Sequence, residues 1–462
     1  MKLLKDLMLL EKRKRKKNNI LNNNLENLIF DTIEILKIQY LADDRPWVVT
    51  YSGGKDSTCV LQLTLTMLQE LHTEGKDIKH TYIVSSDTNV EMPIIDKYLK
   101  SKLNEITKFA EKSNLNISCH KLDPKIEESF WSLMIGKGYP APTSTFRWCT
   151  ERLKINPATD FLTNLVNKHQ SIVMLLGVRS AESQARQASI EKRKLNQRGL
   201  SPHENIPDAF VFSPIKHWSN EDVWKYLSNT KELDTPLPWN DHSYMMSLYD
   251  KGSGEGDCNI ALNPESPSCG KTRFGCWVCT VVEKDRSMEG MLKNGEEWMA
   301  PLWKYRELLY EWRQPDSGKR DTRRRNGTLG PGPFLSSARK ELLEKLLEVE
   351  KQVNDNSPYN ENIELIKDSE IELIQQYWDN DGDSKKSAFR IAQKYARLMD
   401  ESIETPLRTK LEKYEDKLNI DLFERIYEIE AYRKNIFTRY GVIKDIEKRV
   451  VDYYKGEYRE TN

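Results

Sequence analysis

Tyr51-Ser52-Gly53-Gly54-Lys55-Asp56-Ser57 stands where a short apolar, β-branched run (Trp47–Tyr51) gives way to the long helical apolar pattern Lys55–Leu71. The heptapeptide therefore reads as a turn from a strand into a helix N-terminus. Glycine permits backbone conformations that other residues resist, and lets amides approach an anion closely. The helix start adds unpaired N–H groups and the positive end of a dipole. Ser52 and Ser57 bring hydroxyls and Lys55 a cation, so Ser52, Gly53, Gly54, Lys55, Asp56 and Ser57 make a cradle of pyrophosphate size. Asp56 has two readings, a helix cap or a ligand to Mg²⁺ shared with the phosphates. The Walker-type loop is disfavoured, since it requires a further Gly five residues before the Gly-Lys pair. Gly270-Lys271-Thr272 fails the same requirement, because Glu265 occupies that place.

Working outward, strands are expected at Thr81–Ser85, Ile117–Lys121 and Ile172–Leu176, with helices at Glu91–Phe109 and Thr150–Lys168. This alternation predicts an α/β fold, a largely parallel sheet flanked by helices. Upstream, Asn18–Asn27 reads as a linker and Leu28–Leu41 as a helix. Downstream, Lys251–Phe274 is rich in Gly, Pro, Ser and Cys, a composition that a bound metal would help to fold. Gln314–Pro333 reads as a polar loop, and from Ser336 onward the pattern is helical, with one stripe through Leu342, Leu343, Leu346, Leu347 and Val353. The expected divisions are residues 1–44, an N-terminal helical and basic segment, and 45–240, a nucleotide-binding domain. A cysteine-rich module at 241–300 and a basic loop with helices at 301–462 follow.

The chain has 462 residues, with Lys+Arg and Asp+Glu both at 71. That balance excludes a uniformly basic nucleic-acid coat and a polyanionic tail, but not local basic patches. Twenty Tyr, 12 Phe and 11 Trp argue against a largely disordered chain. No apolar run approaches the ~20 residues of a membrane span, so no membrane partner is expected. The apolar run Leu7–Leu10 precedes the basic run Lys12–Lys17, the reverse of secretory-signal order. The expected location is cytoplasmic, and the odd cysteine count of seven fits a reducing compartment.

Cys258, Cys269, Cys276 and Cys279 are separated by 10, 6 and 2 residues. Four thiolates suit tetrahedral Zn²⁺ or a [4Fe–4S] cluster, and the spacing leaves both open. Cys149 stands apart, between Trp148 and Thr150, as a fifth ligand candidate or a sulfur carrier whose thiolate Arg147 would favour. Cys59 and Cys119 are expected in the core, and the histidines show no ligand spacing. Arg179 and Arg186 follow the fourth strand at the edge where open α/β sheets bind ligands, and with Lys154 they are candidates to grip phosphate. Lys319–Arg325 holds five basic residues and one acid, a candidate track for a DNA backbone, as is Lys12–Lys17.

SGGKDS resembles the PP-loop of ATP pyrophosphatases and of the PAPS-reductase-like family. Four further strings resemble that family's motifs in order: SSDTNVEMP (Ser85–Pro93), RWCTERLKINP (Arg147–Pro157), LGVRSAESQAR (Leu176–Arg186) and SPIKHWSNEDVWKYL (Ser213–Leu227). CGKTRFGCWVCTVVEKDRSMEGM (Cys269–Met291) resembles the DndC-like sulfurtransferases of DNA phosphorothioation systems. The resemblance implies ATP with Mg²⁺ held by the loop and Asp87, and a [4Fe–4S] cluster on Cys258, Cys269, Cys276 and Cys279. It further implies catalytic roles for Lys55, Asp56 and Cys149, and substrate phosphate on Arg147, Lys154, Arg179 and Arg186. The implied reaction adenylates a DNA backbone phosphate and replaces a non-bridging oxygen with sulfur. The implied partners are DNA, a cysteine desulfurase, and the DndD and DndE proteins. The rival expectations are a PAPS or adenylylsulfate reductase, an RNA thiolation enzyme, and a DNA-binding scaffold with structural zinc.

Overall fold

A computed structural model describes residues 25–180, 199–229, 241–253, 274–399, 419–434 and 442–454. Helix α1 (Leu25–Tyr40) leads into β1 (Trp47–Thr50), α2 (Lys55–Thr73), β2 (Thr81–Ser86), α3 (Pro93–Lys112) and β3 (Ile117–Leu122). The chain then runs through α4 (Asn156–His169) to β4 (Ile172–Leu175), β5 (Ser201–Pro202) and β6 (Ala209–Phe212). The sheet order is β3-β2-β1-β4-β6-β5. Every pairing is parallel except that of the short β5 with β6. Trp47 lies opposite Thr81 on one side and Val173 on the other.

The strands are apolar on both faces because both are covered. Trp47, Val49, Ile83, Val173 and Leu175 belong to one core, together with the buried α2. Val48, Tyr82, Val84, Ile172 and Met174 pack on Leu162 and Leu165 of α4. The chain winds outward from β1 to β3, then crosses back to β4 on the other side of β1. Ligands bind α/β sheets at the carboxyl ends of the strands where the order reverses in this way, here the ends of β1 and β4.

Helices α5 (Asn220–Asn229), α6 (Ser243–Ser253), α7 (Arg286–Lys293) and α8 (Ala300–Trp312) follow, then α9 (Ser336–Asn356), α10 (Asp368–Asn380) and α11 (Ser387–Lys394). Helices α12 (Ile420–Lys434) and α13 (Val442–Tyr454) complete the described chain. Leu342, Leu343, Leu346, Leu347 and Val353 are buried, in the same hydrophobic core as the α2 face of the sheet. Each such side chain contributes roughly 1.5–3 kcal/mol by leaving water. The later helices also hold the segment that leads to Cys149. The Trp131 indole donates to the Leu365 carbonyl at 2.6 Å, Trp378 to that of Ile135 at 3.1 Å, and Arg339 Nη1 to that of Gly136 at 2.6 Å.

Two expectations are refined. The stretch read as one helix from Thr150 is a wide, π-type turn, Thr150–Ile155, followed by α4. The stretch read as a polar loop contains a two-stranded ribbon, with bridges Arg320–Phe334 and Arg323–Leu329. No described helix is long and apolar enough to cross a membrane.

Candidate nucleotide and thiol site

The phosphate loop is closed on itself. Gly53 takes φ +72°, a conformation that glycine adopts without strain, and backs onto Leu99 and Tyr98. Ser57 Oγ lies 3.0 Å from Ser52 Oγ, accepts from the Ser52 amide and donates to the Gly54 carbonyl. Gly54 caps α2 with no side-chain partner, so Asp56 does not serve as the cap. Its carboxylate is instead held between two cations, with Arg179 Nε at 2.6 Å and Lys55 Nζ at 3.2 Å. Arg179 is buried and also reaches Asn220 Oδ1 at 3.4 Å. The end of β4 thus fastens to the start of α2 through Arg179 and through Gly177, which touches the backbone of Asp56 and Ser57.

Tyr249, from α6, braces the loop from above. Its hydroxyl accepts from the Lys55 amide at 3.2 Å, and the Lys55 ammonium sits 5.6 Å from its ring centroid. Burial pushes its phenol up to about 12, which keeps it a neutral partner. Tyr249 was not legible beforehand, because it lies outside every recognised string.

A cavity of about 1020 Å³ opens over this loop, within the size range of small-molecule sites. Its apolar floor includes Val48, Val84, Leu122 and Met174, and its far wall includes Glu91 and Lys154. An apolar slot beside a backbone anion cradle fits an adenine nucleotide. Asp87 does not line the cavity; its carboxylate accepts from the Asn89 amide at 2.7 Å and pairs with Lys121, so it shapes the loop after β2.

Beyond Lys154 lie the thiols. Glu91 and Cys276 form an isolated antiparallel bridge, and the Trp277 amide donates to the Val90 carbonyl at 3.0 Å. Thr88 Oγ1 donates to Glu91 Oε1 at 2.9 Å and lies 3.2 Å from Cys276 Sγ. Lys154 Nζ stands 4.0 Å from Glu91 Oε1. Burial opposes its charge, but Cys276, Glu91, Cys149 and Cys279 together hold its ammonium above the usual lysine value. Arg306, fully buried, donates to the carbonyls of Cys279, Glu283 and Val282 and so shapes the turn after the Cys-x-x-Cys pair.

Cys149, although far from Cys279 in sequence, is near enough for the two thiols to interact electrostatically. Burial pushes the Cys276 thiol up to about 12, and burial followed by the nearby Cys279 raises that of Cys149. The expected activation of Cys149 by Arg147 is corrected: Arg147 is exposed, and burial raises the Cys149 thiol rather than lowering it. Protonated soft thiols are suitable ligands once a metal displaces their protons. The donor chemistry fits a thiolate-bound cluster, although among the described residues no three His, Cys, Asp or Glu side chains group closely enough to hold a metal ion. Cys258, Cys269, Arg186 and Lys12–Lys17 lie outside the described residues.

Fold and site define an α/β nucleotide-binding protein of the PP-loop type. Residues 46–282, just over half of the chain, match the phosphoadenosine phosphosulfate reductase domain, and the chain belongs to that family. An uncharacterized protein of Methanocaldococcus jannaschii is 27% identical over 286 residues, covering 61% of this chain and 47% of the relative. The chain thus spans about half the length of that curated relative. Among solved structures, Candida glabrata FMN adenylyltransferase with FMN and an ATP analogue gives a TM-score of 0.29 at 15% identity, covering 50% of this chain and 62% of that one. The U34-tRNA thiolase NcsA of Methanococcus maripaludis, with its [4Fe-4S] cluster, gives 0.28 at 13% identity, covering 62% and 80%. Likenesses this weak carry no functional argument.

Proposed function

We propose that this chain is an ATP-dependent sulfurtransferase that installs sulfur in a DNA backbone phosphate. The observation that carries the reading is continuity: one cavity runs from the Ser52–Ser57 cradle to Lys154 and Glu91, and Glu91 is bridged to Cys276. Activation and sulfur delivery need such neighbouring compartments. The loop amides and Lys55 hold the β- and γ-phosphates of ATP, and Asp56 positions Lys55 and Arg179. Magnesium enters with ATP as part of the substrate. A DNA phosphate oxygen attacks the α-phosphorus, and pyrophosphate leaves, its charge offset by Lys55 and the amides. The phosphate is now esterified to AMP, a competent leaving group. Lys154 holds that adenylated phosphate toward the thiols. The terminal sulfur of a persulfide on Cys149, loaded by a cysteine desulfurase, attacks phosphorus and expels AMP. A thiol then takes the carrier sulfur as a disulfide and leaves the transferred sulfur on phosphorus. Cys276 and Cys279, with Cys258 and Cys269, would hold a [4Fe–4S] cluster, which would supply a soft, redox-active sulfur site.

The reading is tested by supplying radiolabelled sulfur from cysteine with a desulfurase, ATP, duplex DNA and the DndD and DndE proteins. Label is expected in DNA and absent without ATP. Label confined to tRNA, or sulfite released from PAPS without ATP, would replace this reading with one of its rivals.

The thiols make a separate prediction. Anaerobically purified protein should contain iron and acid-labile sulfide. Cys276→Ser should lose most of both, whereas Cys149→Ser should keep the iron and lose sulfur transfer. Zinc in place of iron, by elemental analysis, would make the metal structural.

A further inference from the structure

The ribbon between α8 and α9 carries most of the basic run. It is tightly built: the Asp321 amide donates to the Pro333 carbonyl at 2.8 Å, Arg324 to Thr328 at 2.9 Å, and Gly330 to Thr322 at 2.9 Å. Its base is anchored by the buried Phe334, whose amide donates to the Gly138 carbonyl at 2.7 Å. Its tip, around Arg324–Thr328, is largely exposed.

The cations here are satisfied in an unusual way. Several arginines elsewhere face carboxylates, as Arg397 does with Glu350, Glu364 and Asp368. Lys137, Arg147, Arg313, Arg320, Arg324 and Arg325 form no ion pair among the described residues. Arg313 donates to the carbonyls of Pro142 and Thr280, both at 2.7 Å, and Arg320 to those of Gly332 and Arg313. Arg325 donates to the Lys137 carbonyl and lies over the Tyr139 ring at 5.3 Å. Tyr139 packs edge-on against Trp148 at 5.6 Å, and Trp148 is flanked by Arg147 and Cys149. Carbonyls and rings hold these guanidinium groups without cancelling their charge. Arg324 and Arg325 at the ribbon tip and Arg147 beside Cys149 are thus exposed cations that no described carboxylate pairs.

We infer that the ribbon, through Arg324 and Arg325, grips the phosphodiester backbone of duplex DNA and lays it across Tyr139 and Arg147 toward Cys149. This rests on the reading of DNA as the acceptor and adds where the acceptor docks. Guanidinium groups that no carboxylate occupies are suited to bind phosphate and release counterions.

The test is fluorescence anisotropy of a labelled duplex against the full chain across a salt series, with tRNA as competitor. Arg324→Glu/Arg325→Glu should weaken binding about tenfold or more and reduce the slope of log K against log salt by about 2. Arg324→Lys/Arg325→Lys should retain most of the affinity. DNA-independent ATP cleavage should be unchanged in every variant, which shows that the fold is intact. Arg324→Glu alone, at an exposed position, should show about half of the slope change. Duplex binding by the parent with an unchanged slope in the charge-reversed variant would overturn the ribbon assignment and leave the DNA reading standing. No duplex binding by the parent would overturn both, and tighter binding of tRNA through the same arginines would overturn duplex DNA as the occupant.

Discussion

Gly177→Ala should reduce pyrophosphate release at least about a hundredfold, the order lost when preorganised backbone donors are removed. A Cβ at position 177 would lie 2.8 Å from the carbonyl carbon and oxygen of Asp56 and 2.8 Å from the Ser57 amide nitrogen. These are backbone atoms of the first turn of α2, not the end of a flexible side chain, so the end of β4 and the phosphate loop must move apart. That motion pulls on the 2.6 Å Arg179–Asp56 bond and turns the Ser52–Ser57 amides away from the phosphates. Overpacking of this kind costs about 1–3 kcal/mol of stability, so a lower melting temperature is expected as well. Pyrophosphate release and thermal unfolding measure the two effects separately. Parental turnover would show that the contact between β4 and the loop does not shape the cradle.

Arg179→Leu should destabilise the protein by about 1.5–3 kcal/mol, the worth of a hydrogen bond between charged groups, because Lys55 still faces Asp56. The side chains of Arg179 and Asp56 are only 4% and 14% exposed. With Arg179 gone, Asp56 holds Lys55 alone, and the ammonium is drawn from phosphate toward the carboxylate. ATP cleavage should therefore fall further than stability explains. The double variant Arg179→Leu/Asp56→Leu separates the effects: stability should return only in part, because the buried Lys55 then loses its Asp56 contact, whereas cleavage should not return. Chemical denaturation and pyrophosphate release report the two quantities. Recovery of cleavage in the double variant would reduce the pair to a structural fastening.

The sheet was legible because its strands are buried on both faces and end in recognisable turns. Trp47–Thr50 and Ile172–Leu175 are short apolar runs that lead into glycines, Gly53 at a positive φ and Gly177 at the close approach of β4 to α2. Ala209–Phe212 was missed because a four-residue apolar run between Pro207-Asp208 and Ser213-Pro214 is too short to stand out, and its place depends on pairing with β4. The phosphate loop was legible for its chemistry, but not for its restraint. That Asp56 answers to Arg179 rather than capping α2 depends on a contact across 123 positions. The same holds for Cys149, which the fold brings near Cys279 although the two are far apart in sequence. Glu91 stood inside a recognised string, yet its role follows only from the thiol that the fold sets beside it. The ribbon was legible as a charge run. That its arginines are held by carbonyls was not, since sequence does not show which partners a charge finds.

The central claim is that this chain cleaves ATP between the α- and β-phosphates to activate DNA. The most direct measurement is the nucleotide product made by anaerobically purified protein, with its partner proteins present, with and without duplex DNA. AMP and pyrophosphate are expected, formed faster with DNA and lost in Lys55→Ala. ADP and phosphate, or AMP formation indifferent to both DNA and Lys55, would contradict that claim.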